Sequence, residues 1–253
     1  MEVGPADFPL PPHAILAGMK IAAAQLSCVP ADIPANVRQL VALADQARSQ
    51  GAELIVFPEL ALTGYELDAL AADPALWTTP DDPRLDVLRS TGIATVVNCA
   101  VPTDGPLPAI GTYVYDTNGG LLTTYLKQHL YENEQGIFTS GDQDGRFDLN
   151  GLRFALATCF DNHFPDLTAR GAADGCDVHL ASSLYGTGNG IQERAALYPS
   201  IAKDTNLHVV LANHAGPSGP WTGCGGAALW APDGTLLAEA DAHSTTVAVA
   251  DIP

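Results

Sequence analysis

A glutamate, a lysine and a cysteine each stand directly after an apolar run in this sequence, and together they form a complete set for acyl transfer. Glu59 closes the run Leu54-Ile55-Val56-Phe57-Pro58, Lys127 follows Leu121–Leu126, and Cys159 ends the run that begins at Leu152. A carboxylate placed beside a thiol takes its proton, the thiolate attacks a carbonyl carbon, and an ammonium stabilises the resulting oxyanion. Such a set needs neither histidine nor metal. Taken singly, each residue also has an ordinary reading: a packed thiol, a solvated loop acid, and a surface lysine at a hairpin exit. The apolar residues on both sides of Glu59 predict a desolvated carboxyl, with a pKa raised toward that of a useful general base.

The elements that must position these groups are legible from periodicity. Residues 20–26 read as a strand, with Asp32 as N-cap of a helix reaching Ser49 that buries Val37, Leu40, Val41 and Ala44 at helical spacing. A short strand over 53–57 delivers Glu59, a helix is expected over 83–90, and residues 93–101 form a β-branched strand. Strands flanking Thr117-Asn118-Gly119-Gly120 make a hairpin that delivers Lys127, because Asn-Gly accepts positive φ. The Cys159 strand meets a helix over 165–173 with Pro165 in its first turn. A thiol there lies where α/β sheets place ligand crevices, and a helix start nearby favours a thiolate. A strand over 177–181, a helix over 190–204 that Pro199 should kink or shorten, and strands over 207–212, 226–230, 236–240 and 245–250 complete the chain. The pattern is that of a layered α/β or α+β domain with a mixed sheet system.

At 253 residues and 47% hydrophobic, the chain can bury a sizeable core, and no linker or composition break divides residues 19–253. The net charge of −18, from 11 basic and 29 acidic residues, argues against nucleic acid or an anionic membrane as partner. The five cysteines are an odd number, widely spaced and without a C-x-x-C pair, which disfavours a disulfide framework or structural zinc and fits a reducing cytoplasm. No apolar run is long enough for a membrane span. Residues 1–18 hold four prolines, Glu2, Asp7 and no basic residue, so they read as a loosely ordered extension and not as a signal peptide.

Several short segments in order resemble the nitrilase-like carbon–nitrogen hydrolases. They are Phe57-Pro58-Glu59-Leu60 with Thr63-Gly64-Tyr65, Tyr125-Leu126-Lys127-Gln128-His129-Leu130, and Cys159-Phe160-Asp161 with Phe164-Pro165-Asp166. Ala212-Asn213 before Gly216 and Pro232-Asp233-Gly234 also match, so the resemblance covers about residues 19 to 251. It implies a four-layer α-β-β-α sandwich that assembles as a homodimer or larger homo-oligomer, with Glu59, Lys127 and Cys159 as catalytic triad. It also implies a second, supporting glutamate, which falls on Glu134, seven residues before Gly141. The chain departs from the family at His163, where arginine is common, at Asp166, where glutamate is common, at Gly111, where asparagine is common, and at Leu197-Tyr198-Pro199-Ser200.

The Cys-Phe-Asp context looks like the amidase-type branches, since true nitrilases of this family usually carry Trp-Glu after the cysteine. The resemblance therefore implies hydrolysis of a small carboxamide through a cysteine thioester, with release of ammonia and no cofactor. Glu59 would act as base, Lys127 and the Phe160 N–H would hold the oxyanion, and Glu134 would position Lys127 or the substrate. Tyr65, His129, His163 and Tyr185 are candidates for the pocket wall or its support. An N-carbamoyl amide hydrolase, releasing carbon dioxide as well, and a non-catalytic binding or scaffold protein that kept the fold are the alternatives.

Overall fold

The apolar runs before Glu59 and Cys159 become strands buried on both faces, whereas the run before Lys127 is exposed over most of its length. The computed structural model describes residues 18–253, so the extension expected over 1–18 lies, but for Gly18, outside the described residues. In chain order the strands are β1 Met19–Leu26, β2 Leu54–Val56, β3 Ala94–Val101, β4 Ala109–Tyr115, β5 Leu121–Leu126, β6 Gly145–Leu149 and β7 Leu152–Thr158. They continue as β8 Val178–Ser183, β9 His208–Ser218, β10 Trp221–Cys224, β11 Ala228–Trp230, β12 Leu236–Glu239 and β13 Thr246–Ile252. The helices are α1 Ile33–Ser49, α2 Leu67–Ala72, α3 Asp86–Arg89, α4 Pro165–Ala173 and α5 Asn189–Thr205.

The main sheet path runs β5-β4-β3-β2-β1-β9-β8-β7-β6. Its centre is parallel (β3-β2-β1-β9-β8-β7) and its two ends are antiparallel hairpins. Alternation along β1 shows how the layers form: Ile21 and Ala23 point to an inner core with Leu54, Val96, Phe154, Leu180 and Val210, while Ala22 and Ala24 meet Val37, Leu40 and Ala44 of α1. On the far side, Ala181 and Leu211 pack under Tyr198 and Ile201 of α5. The result is helix, sheet, sheet, helix: the four-layer α-β-β-α sandwich. The two ends of the path nearly close on each other, and this explains a glycine. A Cβ on Gly145 of β6 would fall 2.8 Å from the Cβ of Tyr125 on β5, closer than real contacts allow.

Four expectations need correction. Pro199 does not shorten α5, which runs unbroken from 189 to 205. The carbonyl that loses its partner belongs to Ala195, an exposed residue, while Tyr198, Ile201 and Ala202 keep the buried face continuous. The helix over 83–90 is a 3₁₀ turn at Pro83–Leu85 followed by the single turn of α3. No element is expected between Lys127 and the Cys159 strand, yet that stretch contains β6, whose Arg146 and Asp148 alternate with buried Gly145 and Phe147. The strand read as 207–212 extends to Ser218, because its Asn-His-Ala-Gly-Pro continuation pairs with β10. Among the described residues, no helix is long and apolar enough to cross a membrane.

Candidate active site

The parallel strands β2, β7 and β8 all point their C-terminal ends at one cavity, where an open α/β sheet offers its ligand crevice. Glu59 reaches it from a turn beyond β2, in which Pro58 ends the strand and Leu60 takes a left-handed φ of 49°. Two buried polar groups hold this turn. Asn98 of β3 accepts the Leu60 N–H through Oδ1 at 2.7 Å, and its Nδ2 donates to Thr112 Oγ1 at 2.9 Å and Thr158 Oγ1 at 3.1 Å. Thr158 directly precedes Cys159, so one asparagine ties the glutamate's turn to the cysteine's strand. His214 donates from Nε2 to the Glu59 carbonyl. Burial lowers its pKa to about 4, only partly offset by that bond, so the ring is a neutral donor at ordinary pH.

Lys127 leaves β5 fully buried, with an ammonium between two carboxylates. Its Nζ donates to Glu59 Oε1 at 2.7 Å and to Glu134 Oε1 and Oε2 at 2.7 and 2.8 Å. Glu134 sits in a 3₁₀ turn and is fixed on both oxygens. The Tyr65 hydroxyl donates to Oε1 at 2.8 Å and the Tyr131 N–H to Oε2 at 2.8 Å. Burial alone would lower the Lys127 pKa, but the adjoining carboxylates of Glu59 and Glu134 reverse this and keep the ammonium protonated. For Glu59 burial wins instead: desolvation raises its pKa to about 7 despite the adjacent ammonium. Its second oxygen, Oε2, is buried with no hydrogen-bond partner in the protein.

Cys159 stands at a forced corner. It follows β7 with a φ of 45°, a left-handed conformation that costs a non-glycine residue about 1–2 kcal/mol and recurs where function over-determines the backbone. Asp161 holds the corner from within. Its Oδ2 accepts the Thr158 N–H at 3.0 Å and the Tyr125 hydroxyl at 2.7 Å, while Oδ1 accepts the N–H groups of Gln128 and His129 at 3.2 and 2.8 Å. Because those two residues follow Lys127, Asp161 locks the lysine's exit to the cysteine's turn. Asn162 adds a bond from Nδ2 to the Cys159 carbonyl at 2.9 Å. Burial, with Glu59 adding to it, pushes the Cys159 thiol well above its usual range. The helix expected near the cysteine is present, as α4 begins at Pro165 after a 3₁₀ segment over Cys159–His163, yet burial keeps the thiol's pKa raised. The thiol rests protonated, with the Leu184 carbonyl 3.8 Å from Sγ. Asp161→Ala strands three N–H groups and a phenol in the interior, at about 1–3 kcal/mol for each donor that water cannot reach. We expect it to lose about 3 kcal/mol or more in chemical denaturation, with Asp161→Asn intermediate; wild-type stability for the alanine variant would contradict this account.

The cavity, about 510 Å³, is lined by Glu59, Glu134 and Cys159 together with Tyr65, Phe160, His163 and Tyr185. Lys127 is not on its wall and backs the two glutamates from behind. His129 is not on the wall either. Its ring stacks on Phe164 with centroids 3.6 Å apart, and Nδ1 lies 3.0 Å from Asp161, which makes it part of the support beneath the turn. His163 does face the cavity, with Nε2 3.3 Å from Glu193 Oε1 and 3.4 Å from the Tyr185 hydroxyl. Sequence reading did not assign roles to Asn98, Asp161, His214 or Glu193. An asparagine inside the β-branched run of β3 was a usable signal, because a buried amide must be satisfied. Nothing local marks His214 or Glu193.

A neutral thiol, an unpartnered carboxylate oxygen with a pKa near 7 and a fixed cation behind it can move a proton and stabilise negative charge within one pocket. The class of protein follows from comparison of the whole fold. The structure superposes with a TM-score of 0.86 on a variant of the Nesterenkonia AN1 amidase from the nitrilase superfamily, at 27% identity, covering 95% of this chain and 92% of that one. A nitrilase from Pyrococcus abyssi is 27% identical over 92% of this chain and 89% of its own length, and an (R)-stereoselective amidase from a Pseudomonas species is 29% identical over 78% and 72%. The carbon–nitrogen hydrolase family model matches residues 20–253, and the chain belongs to that family.

Proposed function

We propose that this protein hydrolyses small linear carboxamides, releasing ammonia through a thioester on Cys159. The observation that carries the reading is the buried Glu59 carboxyl, half-held by Lys127 and with its other oxygen free beside the thiol. In the first half-reaction Glu59 takes the Sγ proton as sulfur adds to the amide carbon. The oxyanion is met by the Phe160 N–H, with the Lys127 charge behind it. Collapse of the tetrahedral adduct breaks the C–N bond as Glu59 returns the proton to nitrogen, and ammonia departs. In the second half-reaction Glu59 deprotonates a water that attacks the thioester, and the acid leaves with restoration of the thiol. Glu134 holds Lys127 and, through Tyr65, the adjoining wall. Solved structures of the Nesterenkonia amidase in complex with butyramide, and with the acetamide moiety of fluoroacetamide added covalently at its active-site cysteine, support the same reading here.

Ammonia release from butyramide, with the acyl-enzyme trapped by acid quench and its mass located on the Cys159 peptide, tests the proposal; turnover with no adduct on that peptide would overturn the thioester. The pH dependence is a second check. The active form needs Glu59 ionised, so kcat/KM should rise about tenfold per pH unit up to about 7 and then level off. A profile flat from pH 5 to 8 would remove Glu59 from the base role.

A further inference from the structure

The cavity wall built by α5 carries charge of one sign only. Glu193 lies on it, its side chain 47% exposed, and none of the described residues lining the cavity is a lysine or arginine. Around it stand aromatic rings: Phe160 lies edge-on to Tyr131 at 5.3 Å and 5.4 Å from the His163 ring, and Trp221 is 41% exposed on the same wall. At the reacting end, buried Glu59 Oε2 has no partner and the ammonium of Lys127 is already shared by two carboxylates. Among the described residues, no lysine or arginine in this cavity is free to pair with a carboxylate on the substrate. The chain's net charge of −18 acts in the same direction at longer range, drawing cations toward the molecule and repelling anions.

We propose that the Glu193 wall receives the positively charged end of the substrate, so that the preferred substrates are small amino-amides and not monoamides of dicarboxylic acids. This rests on the amidase reading above. The amide end lies against Cys159, the chain passes between the rings of Phe160 and Tyr185, and the ammonium donates a charge-assisted bond to Glu193 while stacking against aromatic faces. His163, 3.3 Å from Glu193 Oε1, fixes one oxygen of that carboxylate and leaves the other for the ligand. The size agrees, because about 510 Å³ is far more than the smallest amides fill.

The test compares 5-aminopentanamide, hexanamide and glutaramate, which are of similar length and differ in charge. Ammonia release should give the aminoamide the highest kcat/KM and glutaramate the lowest. A half-exposed charge pair is worth about twofold to fivefold, so Glu193→Gln should reduce the aminoamide-to-hexanamide ratio by that factor. Glu193→Arg should move the preference toward glutaramate. An aminoamide no better than glutaramate, or a ratio untouched by Glu193→Gln, would overturn the proposal. If none of the three is turned over, the amidase reading fails separately, and binding to the Cys159→Ala variant by calorimetry still decides this one. Tighter binding of the aminoamide, lost when Glu193→Gln is added, supports it; equal binding of all three overturns it.

Discussion

Cys159→Ser is expected to abolish amide turnover, lowering kcat/KM about 10⁴-fold or more while leaving the fold intact. The thiol already sits in a pocket that disfavours its anion, with burial and Glu59 both raising its pKa. Only the closeness of Glu59 makes the thiolate reachable at all. A hydroxyl at the same corner starts from a far weaker acid and forms a far less polarisable nucleophile, so the same base cannot ionise it to any useful extent. Folding should survive, since serine keeps a hydrogen-bonding atom beside the Leu184 carbonyl and Glu59 and fits the same left-handed turn. Ammonia release with matched circular dichroism and thermal melting makes the comparison. A serine variant retaining a tenth of wild-type activity would exclude Cys159 as nucleophile.

The second large effect separates the two glutamates. Glu59→Gln should lower turnover about 10³-fold or more, because no group then protonates the leaving nitrogen or activates water. Its effect on alkylation of Cys159 by iodoacetamide has a different form. In the wild type, each thiolate above pH 7 forms by transferring its proton to an ionised Glu59, so the alkylation rate should level off near the Glu59 pKa of about 7. Without that carboxylate the thiol loses its proton to solvent, and the rate should keep rising about tenfold per pH unit through pH 8. Glu134→Gln should keep the plateau, because Lys127 and Glu59 remain paired, and should lower turnover about 10- to 100-fold by loosening Lys127 and Tyr65. Identical alkylation profiles for the two variants would contradict the assignment of the proton to Glu59.

What could be foreseen of this molecule divides along physical lines. Lys127 was marked by the Asn-Gly hairpin, its own strand being largely exposed. Glu59 and Cys159 were recognisable because each follows an apolar run that only a buried strand explains, and strand ends of an α/β sheet converge. The strands β1, β3 and β7 were legible for the same reason. β6 was not, because at a sheet edge its polar residues alternate with a glycine that exists only to let β5 pass close by. The extension of β9 through His214 was hidden by a loop-like composition, and its pairing with β10 is a tertiary fact. Pro199 misled because propensity speaks for the isolated helix, whereas in the fold the freed carbonyl belongs to an exposed residue. The supports Asp161 and His214 are satisfied by atoms far apart in sequence, from residues 125 to 161 and from 59 to 214, and no local pattern reports such bonds.

The seam between the two halves of the sheet has a bearing on how the chain comes to life. Glu59 comes from one half, Cys159 from the other, and Lys127 from the strand at the seam itself, with Asn98 and Asp161 stitching across. Pairings of such long sequence separation form late, since the chain must close large loops before any of them is rewarded. An intermediate holding either half alone has an acid without a thiol or a thiol without an acid. During synthesis or refolding, then, the reactive centre exists only once both halves have met, and a half-made molecule has the sulfur without its base or the base without its sulfur.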